Sequence, residues 1–260
     1  MKILVPIKQI LDPSGLTFRR DKERMFVNRE DYILDPGSKA ALEAALRLQD
    51  AGRVETLIAI SLGPARADDA LREALALGCD QAFLLCDPAF EAADSSVAAC
   101  ILAAAIQKLE GPDLILTGSR SGDTALGQIG PRLAQALGYG QITDAWTLES
   151  DGKALQATCR WGTGFAAVTA SPPLVITVSP EAFPLRYAHG ARIMNAYREW
   201  TVTTWEAADL DLDPAALAPK LVLRSEGFPA PFERGEVFRG DPQDIGRDVV
   251  VALRQQKLIP

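Results

Sequence analysis

The chain is poor in the residues that most enzymes use for proton and metal chemistry. It has one histidine, His189, in 260 residues. A Ser-His-Asp triad could draw only on that imidazole, and no GxSxG elbow accompanies it. His189 therefore reads as a surface or contact residue in preference to a base. The four cysteines, Cys79, Cys86, Cys100 and Cys159, form no CxxC pair. That argues against zinc and dithiol motifs and for free thiols, mostly buried. No P-loop and no HExxH occurs. The apolar runs fall far short of the ~20 residues of a membrane span. Residues Met1 to Pro6 turn polar too soon for a secretory signal. The expectation is a cytoplasmic protein with no direct membrane insertion. Positive charge is outnumbered, with 27 Lys and Arg against 34 Asp and Glu and a net charge of -7. Nucleic acid and anionic membrane, which need basic surfaces, are disfavoured as partners.

What is present is an ordinary globular composition, 48% hydrophobic and 23% charged, with a repeated strand-helix pattern. Ile3-Leu4-Val5 is a first strand, halted by Pro6. Met25, Phe26 and Val27 suit a small hairpin edge. Asp35-Pro36-Gly37-Ser38 turns into a helix, with Ser38 as its expected cap and Ala41, Leu42, Ala45, Leu46 and Leu48 as its buried stripe. Leu57 to Leu62 reads as a buried strand. Ala67, Ala70, Leu71 and Ala74 then mark a helix that Gly78 stops. Ala82 to Cys86, Ser95 to Leu109 and Asp113 to Thr117 continue the alternation. The predicted fold is α/β, a doubly wound, mostly parallel sheet of Rossmann-like, adenine-nucleotide-binding type.

Residues 142–178 change character. Short β segments, Leu174 to Val178 among them, surround Asp151-Gly152 and Gly162-Thr163-Gly164, so an antiparallel extension is predicted. From Ser179 the chain reads as irregular. Pro214, Pro219, Gly227, Pro229, Pro231, Gly235 and Gly240 mark an extended arm over 201–240, and Ile245 to Leu253 is a final amphipathic helix. The predicted division is a nucleotide-binding domain over 1–200 and a C-terminal arm and helix over 201–260. An arm so poorly packed on itself needs a partner or its own domain to lie against.

The most informative stretch is Asp113 to Pro131. A buried strand gives way to a loop with Gly118, Gly122, Gly127 and Gly130, then to a helix carrying Leu133 and Leu137. Pro131 suits a helix beginning there; a start near Thr124 with a bend is the other choice. Ligands of open α/β sheets bind where strands end. The free amides and dipole of a helix start attract phosphate. Glycines permit close approach and positive φ. The loop fits a nucleotide phosphate cradle, and spacing alone fits an ordinary strand-to-helix turn equally well.

These residues together resemble the electron-transfer flavoprotein β-subunit family over nearly the whole length. The likeness rests on Ile3 to Pro13, on Asp35 to Leu48, and on Ala59-Ile60-Ser61-Leu62-Gly63-Pro64 followed by Leu71 to Asp80. It rests also on Arg186-Tyr187-Ala188 with Ile193-Met194-Asn195-Ala196, and on Arg234 to Gly240. The resemblance implies an electron carrier without turnover of its own. It would pair with an α subunit that holds most of the FAD, take electrons from a flavin-dependent dehydrogenase and pass them to a downstream oxidoreductase. It implies a structural AMP held by Pro6, Asp35, Pro36, Gly37, Ser38 and Leu62. The loop would add Ser119, Arg120, Gly122, Asp123, Thr124, Ala125, Leu126, Gly127, Gln128, Ile129 and Gly130. It implies a partner-recognition loop over 183–197 with Arg186, Tyr187, His189, Gly190, Ile193 and Met194, and an arm that packs on the α subunit.

Two departures stand out. Asp123 is a lone aspartate where ordinary members have several, and Gln128-Ile129-Gly130-Pro131 resembles the electron-bifurcating branch, which places a second FAD at this site. AMP is the favoured ligand and a second FAD the alternative. In the recognition loop the family's anchor leucine falls on Gly190. A stand-alone ATP-binding module is the rival of another class. An ATP pyrophosphatase would need S-G-G-x-D-S where Pro6-Ile7-Lys8-Gln9 stands, and a universal-stress module lacks a long proline-rich arm.

Overall fold

A computed structural model describes residues 1–22, 24–222, 224, 227 and 235–260. Pro229, Pro231 and Arg234, cited above for the arm and the resemblance, lie outside the described residues. After β1 (Lys2–Pro6) the chain makes short strands β2 (Gln9–Leu11), β3 (Leu16–Arg19), β4 (Arg24–Val27) and β5 (Tyr32–Leu34). β3 and β4 form the expected hairpin, while β2 pairs with β5. Then come α1 (Pro36–Asp50), β6 (Thr56–Leu62), α2 (Asp68–Leu77), β7 (Gln81–Leu85), α3 (Ser95–Lys108), β8 (Leu114–Gly118) and α4 (Ile129–Leu137). The rest is β9 (Gly140–Ser150), β10 (Leu155–Trp161), β11 (Gly164–Ala170), β12 (Leu174–Val178), α5 (Gly190–Arg198), β13 (Thr203–Trp205) and α6 (Pro242–Gln255).

Nine strands form one sheet in the order β11-β10-β9-β12-β8-β1-β6-β7-β13. The strands from β9 to β13 in that order run parallel, and β10 and β11 return antiparallel. Alternation along β1 explains the two layers. Ile3 and Val5 pack with α1 and α2 on one face, while Leu4 packs with α3 and α4 on the other. The chain winds outward from β1 through β6 and β7, then crosses back to β8. The strand order therefore reverses between β1 and β8, where an open sheet leaves a crevice at its carboxyl ends.

Several sequence expectations change. Leu174 to Val178 belongs to the parallel core between β8 and β9, not to the antiparallel extension; all five residues of β12 are buried. Residues 190–198 are helical, not irregular, because His189 caps α5 by accepting the Ala191 amide at Nδ1. The first helix is capped by Asp35 instead of Ser38: the Asp35 carboxylate accepts the Ser38 amide and Pro36 occupies the first turn. The first compact unit runs to Val222, beyond residue 200, and the second spans Leu223–Pro260. The physical reason is β13, which extends the sheet beside β7 and lays Trp205 on Phe83 at 4.6 Å between ring centroids. Leu210 is then buried against the α3 layer. In the second unit α6 forms where amphipathicity predicts it, and Val250 and Val251 stay exposed.

Two local contacts fix the elements around the crevice. Gly118, ending β8, lies so close to Gly37 at the start of α1 that a Cβ on Gly118 would stand 2.5 Å from the Gly37 Cα. Glu43 of α1 is buried and accepts a bidentate pair from Arg186, Nε to Oε2 at 2.9 Å and Nη2 to Oε1 at 3.1 Å. It also accepts from Arg47 at 3.0 Å, and Arg186 reaches Asp50 at 2.7 Å. Burial raises the Glu43 carboxyl, but the bonds from Arg186 and Arg47 outweigh it and hold the group below the usual glutamate range.

Gly118→Ala is expected to cost about 1–3 kcal/mol by overpacking, lowering Tm by about 3–10 °C for a chain of this size. Gly164→Ala, with nothing near the new methyl, should leave Tm nearly unchanged, so equal effects of the two in a thermal melt would refute the close-packing account. Glu43→Gln is expected to cost about 1–3 kcal/mol at pH 7 through the lost charged partner. A carboxyl lowered by folding stabilises above its unfolded value of about 4.3, and that contribution fades as pH falls through the lower folded value. Denaturant titrations should therefore show the gap between wild type and variant closing below about pH 4; a gap of constant size would exclude the ionised pair as its source.

Candidate nucleotide site

The crevice at the strand reversal holds a cavity of about 360 Å³. Its floor is the ends of β1, β6 and β8, through Pro6, Ile60, Leu62, Thr117 and Gly118. Its walls are the first turns of α1, α3 and α4. Asp35 joins two of these parts. The carboxylate is buried and accepts the Ser38 amide at 3.0 Å and the Gly122 amide at 2.6 Å, while Ser38 Oγ accepts the Lys8 amide at 3.0 Å. The glycine-rich loop is thereby tied to the start of α1.

The loop itself is held by small polar side chains. Ser121 Oγ lies 3.0 Å from Thr124 Oγ1, and the Ala125 amide donates to the Ser121 carbonyl. Asp123 accepts the Thr124 amide at 2.7 Å and pairs with Lys8 at 2.6 Å. Burial raises the Asp123 carboxyl, and the Lys8 hydrogen bond, with those of Ser121 and Thr124, brings it below the ordinary aspartate value. Of the loop's four glycines only Gly127 has a positive φ, 63°, and the other left-handed residue is Ala125 at 51°. Gly118, Gly122 and Gly130 serve close approach instead. A side chain at Gly130 would run into Thr177.

α4 starts at Ile129, with Pro131 inside its first turn, so the helix neither begins at Pro131 nor bends there from Thr124. Side chains cap α1, α3, α5 and α6. None caps α4. Gln128, at the cap position, turns away: its Oε1 accepts from Ser95 Oγ at 2.7 Å and from Arg132. The start of α4 therefore faces the cavity with backbone donors uncapped. Two cations line the cavity as well. One is Lys8, and the other is Arg120, which pairs with Glu181 at 2.7 Å. Ile60, Leu62, Leu102 and Ile129 make the remaining wall apolar. This donor set fits a ligand with a flat apolar end and an anionic end.

Of the residues predicted for the site, Pro6, Asp35, Ser38, Leu62, Arg120, Thr124, Leu126, Gly127, Gln128 and Ile129 line the cavity. Pro36, Gly37, Ser119, Gly122, Asp123, Ala125 and Gly130 stand behind the wall. They position it by the packing, hydrogen bonds and ion pair just described, and Ser119 donates to the Val178 carbonyl at 2.8 Å. The sequence reading missed Lys8, Asp94, Ser95, Ala98, Leu102 and Leu221, among others. Asp94-Ser95-Ser96 before an alanine-rich helix was a legible cap signal. The Asp94 carboxylate takes the amides of Ser96 and Val97 at 2.8 and 2.9 Å and, on its other oxygen, those of Lys220 and Leu221 at 2.6 and 2.8 Å. These amides, Val97 first, hold its carboxyl at about 2.

The predicted recognition residues divide. Arg186 is engaged within the chain by Glu43 and Asp50, and His189 is a helix cap. Gly190 opens α5 with free space around it. Tyr187, Ile193 and Met194 are exposed. Among the described residues there is no metal-holding cluster, and no helix long and apolar enough to cross a membrane.

The sequence profile of the electron transfer flavoprotein domain matches residues 24–210. The chain is 35% identical to the electron transfer flavoprotein subunit beta of Clostridium acetobutylicum, with all of both chains covered. It is 31% identical to the caffeyl-CoA reductase-Etf complex subunit CarD of Acetobacterium woodii, again over the full length of both. Protein FixA of Azorhizobium caulinodans is 29% identical over 94% of this chain and 96% of its own. On the profile match and the full-length likeness together, the chain belongs to the electron transfer flavoprotein family, as a β-subunit member.

Proposed function

We propose that this chain is the β subunit of a heterodimeric electron carrier and that its cavity clamps an adenylate. The observation that carries the reading is the uncapped start of α4 opening on the cavity beside Lys8 and Arg120. In this reading the backbone amides and the two cations hold phosphate, and Ile60, Leu62 and Leu102 receive the purine. The FAD that supplies electron transfer is shared with an α subunit, and this chain's part is to bind, orient and brace. In this reading the chain is a carrier subunit without turnover of its own. AMP is favoured because 360 Å³ lies at the small end of ligand cavities, which span roughly 300–1,000 Å³. A second FAD in the same cavity, as in an electron-bifurcating complex, is supported by Gln128-Ile129-Gly130-Pro131 and by the full-length likeness to CarD. Exposed Tyr187, Ile193 and Met194, on a segment braced by Glu43 and Arg186, are the surface proposed for a flavin dehydrogenase.

Co-expression with the matching α subunit, followed by acid release and chromatography, should yield one FAD and one AMP per heterodimer. Two FAD with no AMP would establish the second reading, and a heterodimer without any purine in this chain would defeat both. Ile193→Asp and Met194→Asp are each expected to slow reduction by the cognate dehydrogenase by about tenfold or more, the cost of charging an apolar contact being at least that of losing an anchor. Nucleotide content should stay intact; unchanged electron-transfer rates in both variants would remove this surface from the interface.

A further inference from the structure

The cavity is finished by a segment far away in sequence. Leu221 lines it, together with the first turns of three helices. The segment leading there is anchored by Leu210, Leu212 and Leu217 on the α3 layer. Its next tie is the Asp94 carboxylate, which accepts the amides of Lys220 and Leu221 at 2.6 and 2.8 Å. Beyond Val222 the first compact unit ends and the chain enters the C-terminal arm.

The two carboxylate oxygens divide their work. Oδ1 caps α3 through Ser96 and Val97, and Oδ2 holds the two strap amides. Ser95, next in sequence, donates to Gln128 at the start of α4. A line of hydrogen bonds therefore runs from Lys220 and Leu221, through the start of α3, to the start of α4. We propose that residues 219–222 are a strap latched over the cavity by Asp94, and that this latch sets how long the nucleotide is retained. The inference rests on the adenylate reading of the cavity. With the strap latched, Leu221 completes the wall and the ligand leaves only when Oδ2 gives up its amides. Coupling is reciprocal, so a bound adenylate also holds the strap in place.

Asp94→Asn separates the two roles. Asparagine caps a helix about as well as aspartate, so its oxygen keeps α3 intact. Its amide nitrogen then faces two N–H donors and cannot accept from either. Lys220→Pro makes the same cut from the strap side, removing one donor while leaving Asp94 untouched. In the heterodimer loaded with radiolabelled AMP, both variants are expected to release the label about tenfold faster than wild type, within the usual 5–150-fold span of site coupling. Trypsin cleavage after Lys220 should be slowed by AMP in wild type and no longer slowed in Asp94→Asn. Release within twofold of wild type in both variants overturns the strap. AMP that binds wild type but slows cleavage equally in wild type and Asp94→Asn defeats the coupling alone; AMP that never binds wild type defeats the adenylate reading and the coupling with it.

Discussion

The buried carboxylate of Asp35 is the constraint on which the crevice depends. It sits where the strand order reverses and accepts one amide from its own helix and one from a loop 87 residues away in sequence. A buried carboxylate is costly unless its lone pairs are filled, and here two backbone donors fill them. The loop that follows β8 can then adopt only the conformation that presents Gly122 to Asp35. Gly37 and Gly118 allow the approach, because a methyl on either would collide with the other's backbone or with the Arg120 carbonyl. The loop side of the cavity is thus set by a helix cap and two missing methyl groups.

Much of this was legible in the sequence because period and punctuation are local signals. The alternation of buried strands with helices stopped by Gly52 and Gly78, and the Asp151-Gly152 hairpin, all stand where propensity puts them. Non-local pairing was not legible. Leu174 to Val178 looks like one more short β segment, yet insertion between β8 and β9 makes it fully buried. Thr203 to Trp205 is a weak strand alone and becomes one because β7 offers an unpaired edge and Phe83 offers a ring. At the site, loop composition identified the loop and the two uses of its glycines, but not which glycine serves which. Only Gly127 uses its backbone freedom, and the others are small because Gly37, Ile10 and Thr177 press against them. Leu221 could not be found from spacing at all, since only the fold carries it to the cavity.

The segment around Arg186 shows how the same chemistry can be bracing or display according to burial. Arg186 and Tyr187 are neighbours in sequence. The first is pulled inward by a glutamate at 5% side-chain exposure and forms a bidentate pair, while the second is fully exposed. Arginine suits the inward role because its planar fork matches a carboxylate and keeps its charge. A segment fixed in this way loses little conformational freedom on docking, and rigid presentation of an apolar contact favours affinity for that reason. His189 extends the logic: by capping α5 it fixes the direction in which Ile193 and Met194 project.

The charge distribution around the cavity follows from the same economy. Both lining cations already hold a carboxylate, Lys8 on Asp123 and Arg120 on Glu181. Both pairs are partly exposed and so are worth little to stability, where solvent screens them. Their value lies in placement. In the adenylate reading, a phosphate would exchange one anionic partner for another at side chains that already line the cavity as ion pairs. The uncapped start of α4 supplies the remaining donors at no cost in side-chain entropy, because backbone amides are already fixed by the helix. Paired in this way, the two cations leave the cavity lining without an uncompensated positive field, which suits a chain whose net charge is -7.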